Sequence, residues 1–216
     1  KEETKKNSKH EQDQAVEFKK TTEEEDKADK KEREKYELYV ERLQDVDPDI
    51  QRMALDEIKR EISCPQTDDQ CHKPLKYLRV HYETIKAFYE KCTGEFKKEV
   101  SDLLSVLSFT CSSEGVTNAS LKYVLSGTKR NLTEWGNEYL RSLSGEVSSE
   151  YNEKLKNEQS TEDLNFLVDI IAPFCIDHKE EPEAIDLLME VEQLYKIVNL
   201  CTEENYGRIC TYLKNC

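Results

Sequence analysis

The spacing of apolar residues constrains the fold more than any other feature, because they recur every three or four positions along most of the chain after residue 36. Side chains at that spacing lie on one face of an α-helix, and a helix with an apolar face buries it against other helices. No run alternates apolar and polar residues in the way a half-buried strand does. We therefore predict an all-α fold, an irregular array of helical hairpins resembling an α-solenoid.

Local cues place the helix boundaries. Asp47 is predicted as an N-cap with Pro48 at the first helical position. Pro173 is expected to bend or end a later helix, and the polar stretch 152–161 is predicted to be an exposed loop. The predicted helices cover residues 48–62, 74–92, 96–111, 121–125, 132–147, 164–171, 183–198 and 206–213.

The first 35 residues differ in composition from the rest. They contain 11 Lys/Arg and 12 Asp/Glu, and their apolar residues are only Ala15, Val16, Phe18 and Ala28. Too little apolar surface is present to offset the entropy of ordering the backbone. We predict a disordered mixed-charge tail over 1–35, with fluctuating helix towards 32–43, and a helical region over 36–216.

Charge and hydropathy limit the possible partners. The net charge is −14, and no long basic run offers phosphate contacts, so we expect no nucleic-acid partner. An acidic surface is better suited to a basic protein partner. No apolar run approaches the roughly 20 residues that span a bilayer, so we expect no membrane partner and a soluble intracellular chain.

The eight cysteines are expected to be reduced. Cys92, Cys111, Cys175, Cys201 and Cys210 lie in or beside apolar helical patterns, where a thiol behaves as a small buried hydrophobe. A zinc site at Cys64, Cys71 and His72 is disfavoured, because the two cysteines are too far apart in sequence for the usual short knuckle and a fourth ligand is missing. We predict no metal and no cofactor.

Motifs for catalysis are not convincing. The four histidines form no Ser/His/Asp pattern. The segment 126–129, Ser-Gly-Thr-Lys, resembles the end of a phosphate loop, but the upstream glycine and the preceding strand are both missing. We predict that the chain is not an enzyme and has no catalytic residues, and we retain a cysteine nucleophile as an alternative.

The segment 132–147 holds the single tryptophan. Leu132, Trp135, Tyr139, Leu143 and Val147 are spaced to share one helical face, so we predict one continuous helix with Trp135 in the core. Gly136 and Gly145 each cost about 1 kcal/mol in a helix relative to Ala. We interpret them as positions where another backbone comes close.

Four collinear motifs carry a family resemblance. They lie at 73–82 (Lys-Pro-Leu-Lys-Tyr-Leu-Arg-Val-His-Tyr), 121–127 (Leu-Lys-Tyr-Val-Leu-Ser-Gly), 134–147 and 186–194 (Asp-Leu-Leu-Met-Glu-Val-Glu-Gln-Leu). In this order they resemble the N-terminal region of the large non-ATPase scaffold subunits in the base of the 26S proteasome, the non-ATPase regulatory subunit 2 family. The similarity runs from about Tyr39 to Cys216.

The resemblance implies a non-catalytic scaffold in the proteasome regulatory particle, located in cytoplasm and nucleus. It implies contacts with the proteasomal ATPase subunits and other regulatory-particle subunits. Ubiquitin-like shuttle factors are expected to bind a toroid of repeats beyond Cys216. Lys73, Lys76 and Arg79 are the candidate partner-binding residues. The alternative is a helical-repeat adaptor of another intracellular complex, for which a continuation without the toroid repeats would be the sign.

Overall fold

A computed structural model describes residues 29–63, 74–111 and 119–216. Every regular element among these residues is helical, which confirms the predicted all-α class. We number the α-helices in chain order. They are α1 (29–43), α2 (Pro48–Ile62), α3 (74–78), α4 (Tyr82–Tyr89), α5 (Gly94–Thr110), α6 (Ala119–Ser126), α7 (Asn137–Lys156), α8 (Glu162–Asp177), α9 (Glu181–Glu190), α10 (Ile197–Leu200) and α11 (Tyr206–Asn215). Three 3₁₀ helices lie at Arg79–His81, Leu132–Trp135 and Leu194–Lys196.

The described residues divide into two compact units, with the boundary between Ala54 and Leu55. In the first unit, α1 buries Tyr36, Val40 and Leu43, which share a helical face. Residues 1–28 of the predicted tail lie outside the described residues, and its last part, 29–35, belongs to α1. The predicted boundary at residue 35 therefore does not coincide with the start of a helix.

The start of α2 follows the sequence prediction. The Asp47 Oδ1 atom accepts a hydrogen bond from the Asp49 backbone N–H at 2.9 Å, and Pro48 occupies the first helical position. This arrangement satisfies one of the backbone donors left open at a helix N-terminus, at a position where proline loses nothing.

Helix α5 forms the centre of the second unit. It packs on α4, α6 and α7, and nine consecutive residues, 100–108, are buried along it. The chain of contacts then runs from α7 to α8, from α8 to α9 and from α9 to α11. Each helix buries an apolar face against its neighbours, as expected for a stacked helical array.

Serine hydroxyls fasten α5 to α6 and α7 inside this core. The Ser105 hydroxyl donates to the Ser120 carbonyl at 2.9 Å and shares a hydrogen bond with the Tyr139 hydroxyl at 2.6 Å. The Ser101 hydroxyl donates to the Tyr123 carbonyl at 2.9 Å. Because an unpaired buried hydroxyl is costly, these matched pairs help to fix the alignment of the three helices.

Several predicted helices are interrupted. The helix predicted over 132–147 is wrong as a single element: Trp135 lies in a 3₁₀ helix, and Gly136, with φ of 92°, separates it from α7. The helix predicted over 74–92 is interrupted at Arg79–His81, and that over 183–198 ends at Glu190. In each case the apolar spacing continues across residues where the α-helical conformation is interrupted.

Two other boundaries lie further along the chain than predicted. Helix α8 continues through Pro173 to Asp177, so proline does not end it. Helix α7 continues to Lys156, which shortens the predicted loop 152–161. Residues 112–118, between α5 and α6, lie outside the described residues.

Candidate partner-binding surfaces

The candidate partner-binding residues Lys76 and Arg79 lie in a segment whose apolar side chains, such as Leu78, are buried. Lys73 lies outside the described residues, whereas Lys76 on α3 and Arg79 at the following 3₁₀ helix are both exposed. The next residue, Val80, is 80% exposed, while Leu78 beside them is fully buried. The structure thus places two of the three predicted residues near an exposed valine that the sequence analysis did not single out.

A hydrogen bond from a side chain to the backbone joins this segment to the residue that follows α5. The Cys111 thiol lies 3.7 Å from the Arg79 carbonyl oxygen, to which it donates. The Lys76 ammonium lies 5.3 Å from the centroid of the Tyr77 ring. Lys76, Arg79 and Val80 form what we call the basic surface.

A second surface surrounds a cleft between α8 and the segment 194–200. The cleft has a volume of about 280 Å³, and Val168, Ala172 and Pro173 line it. Tyr195 lines it as well and is 70% exposed. The Lys196 ammonium bridges to Asp169 Oδ1 at 2.5 Å on its rim. Sequence reasoning had placed Tyr195 in a helix over 183–198, and it missed this cleft because α9 ends at Glu190.

A third surface, which we call the C-terminal groove, lies between the start of α9 and helix α11. It has a volume of about 690 Å³, and its lining includes Pro182, Glu203, Glu204, Tyr206 and Gly207. No sequence motif marked these residues. Glu203 and Glu204 belong to the polar connection before α11, whereas Pro182 lies in the first turn of α9.

Two side-chain contacts fix the walls of the C-terminal groove. The Arg208 guanidinium donates to the buried Glu181 carboxylate, with Nε to Oε1 at 2.7 Å. This hydrogen bond holds the pKa of Glu181 below its usual range. The Tyr212 hydroxyl donates to the Asp186 carboxylate at 2.8 Å, which raises the pKa of Tyr212 to about 12.

Trp135 belongs to the core and not to an exposed surface. Its side chain is buried, and its 3₁₀ helix packs on α7 and α8. The indole Nε1–H has no hydrogen-bond partner among the described residues. The aromatic surface, rather than the polar atom, therefore accounts for its contribution to the fold.

The segment that resembles a phosphate loop, 126–129, donates hydrogen bonds to a buried carboxylate. Asp102 on α5 accepts hydrogen bonds from the Thr128 backbone N–H at 3.0 Å and from its hydroxyl at 2.5 Å. Burial raises the pKa of Asp102 despite these donors. A Cβ on Gly127 would lie 2.0 Å from Asp102 Oδ1, which explains the glycine.

The interpretation of Gly136 and Gly145 as sites of backbone approach is wrong for the described residues. A Cβ at either position would meet no atom within 4 Å. Gly136 is required instead by its positive φ of 92°, which L-residues rarely adopt. At Gly127 the atom that comes close belongs to the Asp102 side chain, not to another backbone.

The described cysteines are free thiols in three environments: buried, half-buried and exposed. Cys92 and Cys175 are buried, and burial raises the pKa of both thiols, to about 11 for Cys175. Cys201 and Cys210 are exposed, so the prediction that they are buried is wrong. The apolar spacing was misleading there because Cys201 lies after the end of α10 and Cys210 lies on an exposed side of α11.

Burial also raises the pKa of the half-buried Cys111 thiol. A raised thiol pKa lowers the fraction of nucleophilic thiolate, which disfavours the alternative of a cysteine nucleophile at Cys92, Cys111 and Cys175. The residues of the disfavoured zinc site, Cys64, Cys71 and His72, lie outside the described residues.

Two further features are missing from the part of the chain that the structure describes. Its histidine, cysteine and carboxylate side chains form no cluster of three or more that could hold a metal ion. None of its helices has the length and apolar character needed to cross a bilayer.

Comparison with known proteins identifies the family. The family of the RPN1 N-terminal domain matches residues 36–216. The chain is 43% identical over 82% of its length to 26S proteasome non-ATPase regulatory subunit 2 homolog A of Arabidopsis thaliana. It is 43% identical over 83% of its length to 26S proteasome non-ATPase regulatory subunit 2 of Dictyostelium discoideum, and 35% identical over 83% to 26S proteasome regulatory subunit rpn1 of Schizosaccharomyces pombe.

In each of these comparisons the matched region spans 20% of the relative's length. The resemblance inferred from the four collinear motifs is thereby confirmed. The chain belongs to the RPN1 N-terminal domain family.

Proposed function

We propose that the chain is the N-terminal helical part of a non-catalytic scaffold subunit in the base of the 26S proteasome regulatory particle. The observation that carries the proposal is the family match over 36–216, together with relatives named as 26S proteasome regulatory subunits. Two of those names include the word non-ATPase. In this proposal the protein acts in ubiquitin-dependent degradation in cytoplasm and nucleus.

The helical array supports a role in positioning other subunits. Helices α5 to α9 share one continuous buried core, so a force or contact at one surface acts on a rigid body. The basic surface and the cleft beside Tyr195 both expose apolar side chains next to charged ones, as partner-binding patches do. We assign these surfaces to contacts with the proteasomal ATPase subunits and other regulatory-particle subunits.

The docking of ubiquitin-like shuttle factors belongs to the remainder of the protein in this proposal. The expected receptor is the toroid of repeats that follows this region in the family the motifs resemble. The described chain then supports the toroid without itself binding ubiquitin strongly.

Affinity purification of the tagged full-length protein, followed by mass spectrometry, tests the assignment. We expect proteasomal ATPase and non-ATPase subunits to be enriched together. Enrichment of an unrelated complex without proteasome subunits would support the alternative of a helical-repeat adaptor. Hydrolase activity of the purified protein would contradict the non-catalytic part of the proposal.

A charge reversal tests the basic surface within the same experiment. Lys76→Glu with Arg79→Glu should lower the recovery of the contacted subunit severalfold, because opposite charges across an interface become like charges. The matched control is Lys122→Glu with Lys156→Glu, which makes the same change at two exposed lysines on α6 and α7. Equal recovery of the contacted subunit with both variants would show that the basic surface is not part of the interface. The scaffold assignment would still stand.

A further inference from the structure

The C-terminal groove contains a helical glycine that the rest of the described structure does not explain. Gly207 lies in α11, has no positive φ, and would place a Cβ within 4 Å of no other atom. An alanine in an exposed helix is more favourable than glycine, so neither strain nor packing accounts for the residue. The missing side chain leaves room in the groove for the backbone of another molecule.

The lip of the same groove carries two exposed carboxylates, those of Glu203 and Glu204. Within the described residues, the carboxylates of Glu203 and Glu204 form no ion pair or hydrogen bond, and both are exposed. The Arg208 guanidinium is paired with Glu181, and Glu204 attracts it as well. Lys179, on the other wall, is the remaining cation that lines the groove, so the lip keeps an excess of negative charge.

An aromatic ring lies beside these carboxylates in the sequence and in the groove. Tyr206 is 58% exposed, although large aromatic side chains usually gain from burial. A groove lined by an aromatic ring and two carboxylates suits a guanidinium, which can stack on a ring while it donates to carboxylates. An ammonium lacks the planar fork and is the poorer match.

We propose that the C-terminal groove binds an arginine-containing segment of a partner protein. The segment passes over Gly207, stacks a guanidinium on Tyr206 and directs its donors towards Glu203 and Glu204. The apolar surface of Pro182 receives a neighbouring apolar side chain. The contacts between Arg208 and Glu181 and between Tyr212 and Asp186 hold the two walls in place before the segment binds.

A short peptide serves as the probe. We would titrate the 216-residue chain with acetyl-Ala-Leu-Arg-Ala-Arg-Leu-Ala-amide and follow backbone amide shifts by NMR. Saturable shifts centred on residues 203–211 are expected, and they should weaken as salt rises because the contacts are partly exposed. A peptide with lysine in place of both arginines should bind more weakly, and one with glutamine should not saturate.

Two pairs of variants separate the groove from general acidity. Glu203→Gln with Glu204→Gln should weaken binding about tenfold. Glu153→Gln with Glu158→Gln, which removes the same charge from exposed positions in and just after α7, should leave it unchanged. Gly207→Gln should abolish binding by filling the groove, whereas Gly145→Gln, at the equally open glycine of α7, should have no effect.

Other results would overturn the proposal. If both double Glu→Gln variants lost peptide affinity equally, the peptide would be attracted to the acidic surface as a whole and not to the groove. Full binding by Gly207→Gln would place the peptide elsewhere. Shifts at residues 203–211 that depend on protein concentration without peptide would indicate a second copy of the chain in the groove. Because these readouts use the chain and the peptide alone, they are independent of whether the proteasome assignment holds.

Discussion

At the residue scale, buried polar atoms reveal why particular positions carry the residues they do. Gly127 has its small size because Asp102 Oδ1 occupies the space where a Cβ would lie. The motif around Gly127 and Thr128 was visible in the sequence, but its partner is 26 residues away along the chain. Local sequence therefore identified the loop and could not identify the carboxylate that holds it.

Trp135 offers a test of packing at a single residue. Trp135→Ala should destabilise the protein by about 3 to 5 kcal/mol, because it leaves a cavity beside α7 and α8. Trp135→Phe retains a ring and removes an indole N–H that has no partner among the described residues, so its cost should stay within about 1 kcal/mol. Chemical denaturation measures both. An alanine variant of unchanged stability that lost a binding partner would make Trp135 an interface residue instead.

The pH dependence of stability tests Asp102. Burial raises its pKa in the folded state above its ordinary value of 3.8, so folding favours the protonated form. The stabilising contribution is therefore complete below that ordinary value and is lost as pH rises through the raised folded pKa. Relative to Asp102→Asn, which does not titrate, the wild-type protein should lose stability across this window.

Denaturation curves at several pH values measure this difference. Thr128→Val removes the hydroxyl that donates to the Asp102 carboxylate, and should extend the window to higher pH. A stability difference between wild type and Asp102→Asn that stays constant with pH would show that burial does not shift this carboxyl.

At the element scale, helix identity was predictable and helix termini were not. Apolar spacing identified α5, α6 and α11, each of which packs on a neighbouring helix. Helices α7, α8 and α9 end without the glycine that usually marks a helix C-terminus in a sequence. In each, the chain turns at a non-glycine residue with positive φ: Glu158 (56°), Lys179 (64°) and Glu192 (56°).

The hydrogen bonds at these three ends have a common pattern. The N–H after each positive-φ residue donates to a carbonyl five residues back, as from Gln193 to Leu188 at 2.8 Å. This is the Schellman motif, in which glycine is the usual residue at the turn. Because Glu158, Lys179 and Glu192 are not glycines, the sequence does not mark these helix ends. The helix predicted over 183–198 therefore continued past Glu190.

A glycine substitution tests this account. Glu158→Gly should stabilise the protein by about 0.5 to 1 kcal/mol, because relief of the left-handed strain exceeds the added entropy of the unfolded chain. Glu153→Gly, at an exposed position inside α7, should destabilise it by about 1 kcal/mol. Thermal and urea unfolding of the two variants would measure these changes. Loss of stability in both would mean that the turn after α7 carries little strain.

At the scale of the whole molecule, properties distributed over many residues were the most predictable. The all-α class follows from many stripes at once, and the family follows from motifs spread over 73–194, so no single error alters either. Surface assignments depend on which helix faces meet. Lys76 and Arg79 are exposed as expected, but Cys201 and Cys210 are exposed where burial was predicted.

The thiols of the whole chain provide a test of what holds it together. Six described cysteines are free, and the second unit has an extensive apolar core, so cross-links are not needed to explain its stability. Reductant should therefore leave the melting temperature of the native protein nearly unchanged. A fall of tens of degrees would show that disulfides hold the fold.

The rates of thiol modification refine that test. A thiol reagent at mildly alkaline pH should label the exposed Cys201, Cys210 and Cys216 quickly. It should reach Cys92 and Cys175 only when the core opens, because burial both shields these thiols and raises their pKa. Denaturant should speed their labelling in step with unfolding. Fast labelling of Cys175 in the native protein would mean that the helices around α8 open locally, and the rigid body required of a scaffold would then be confined to the helices around α5.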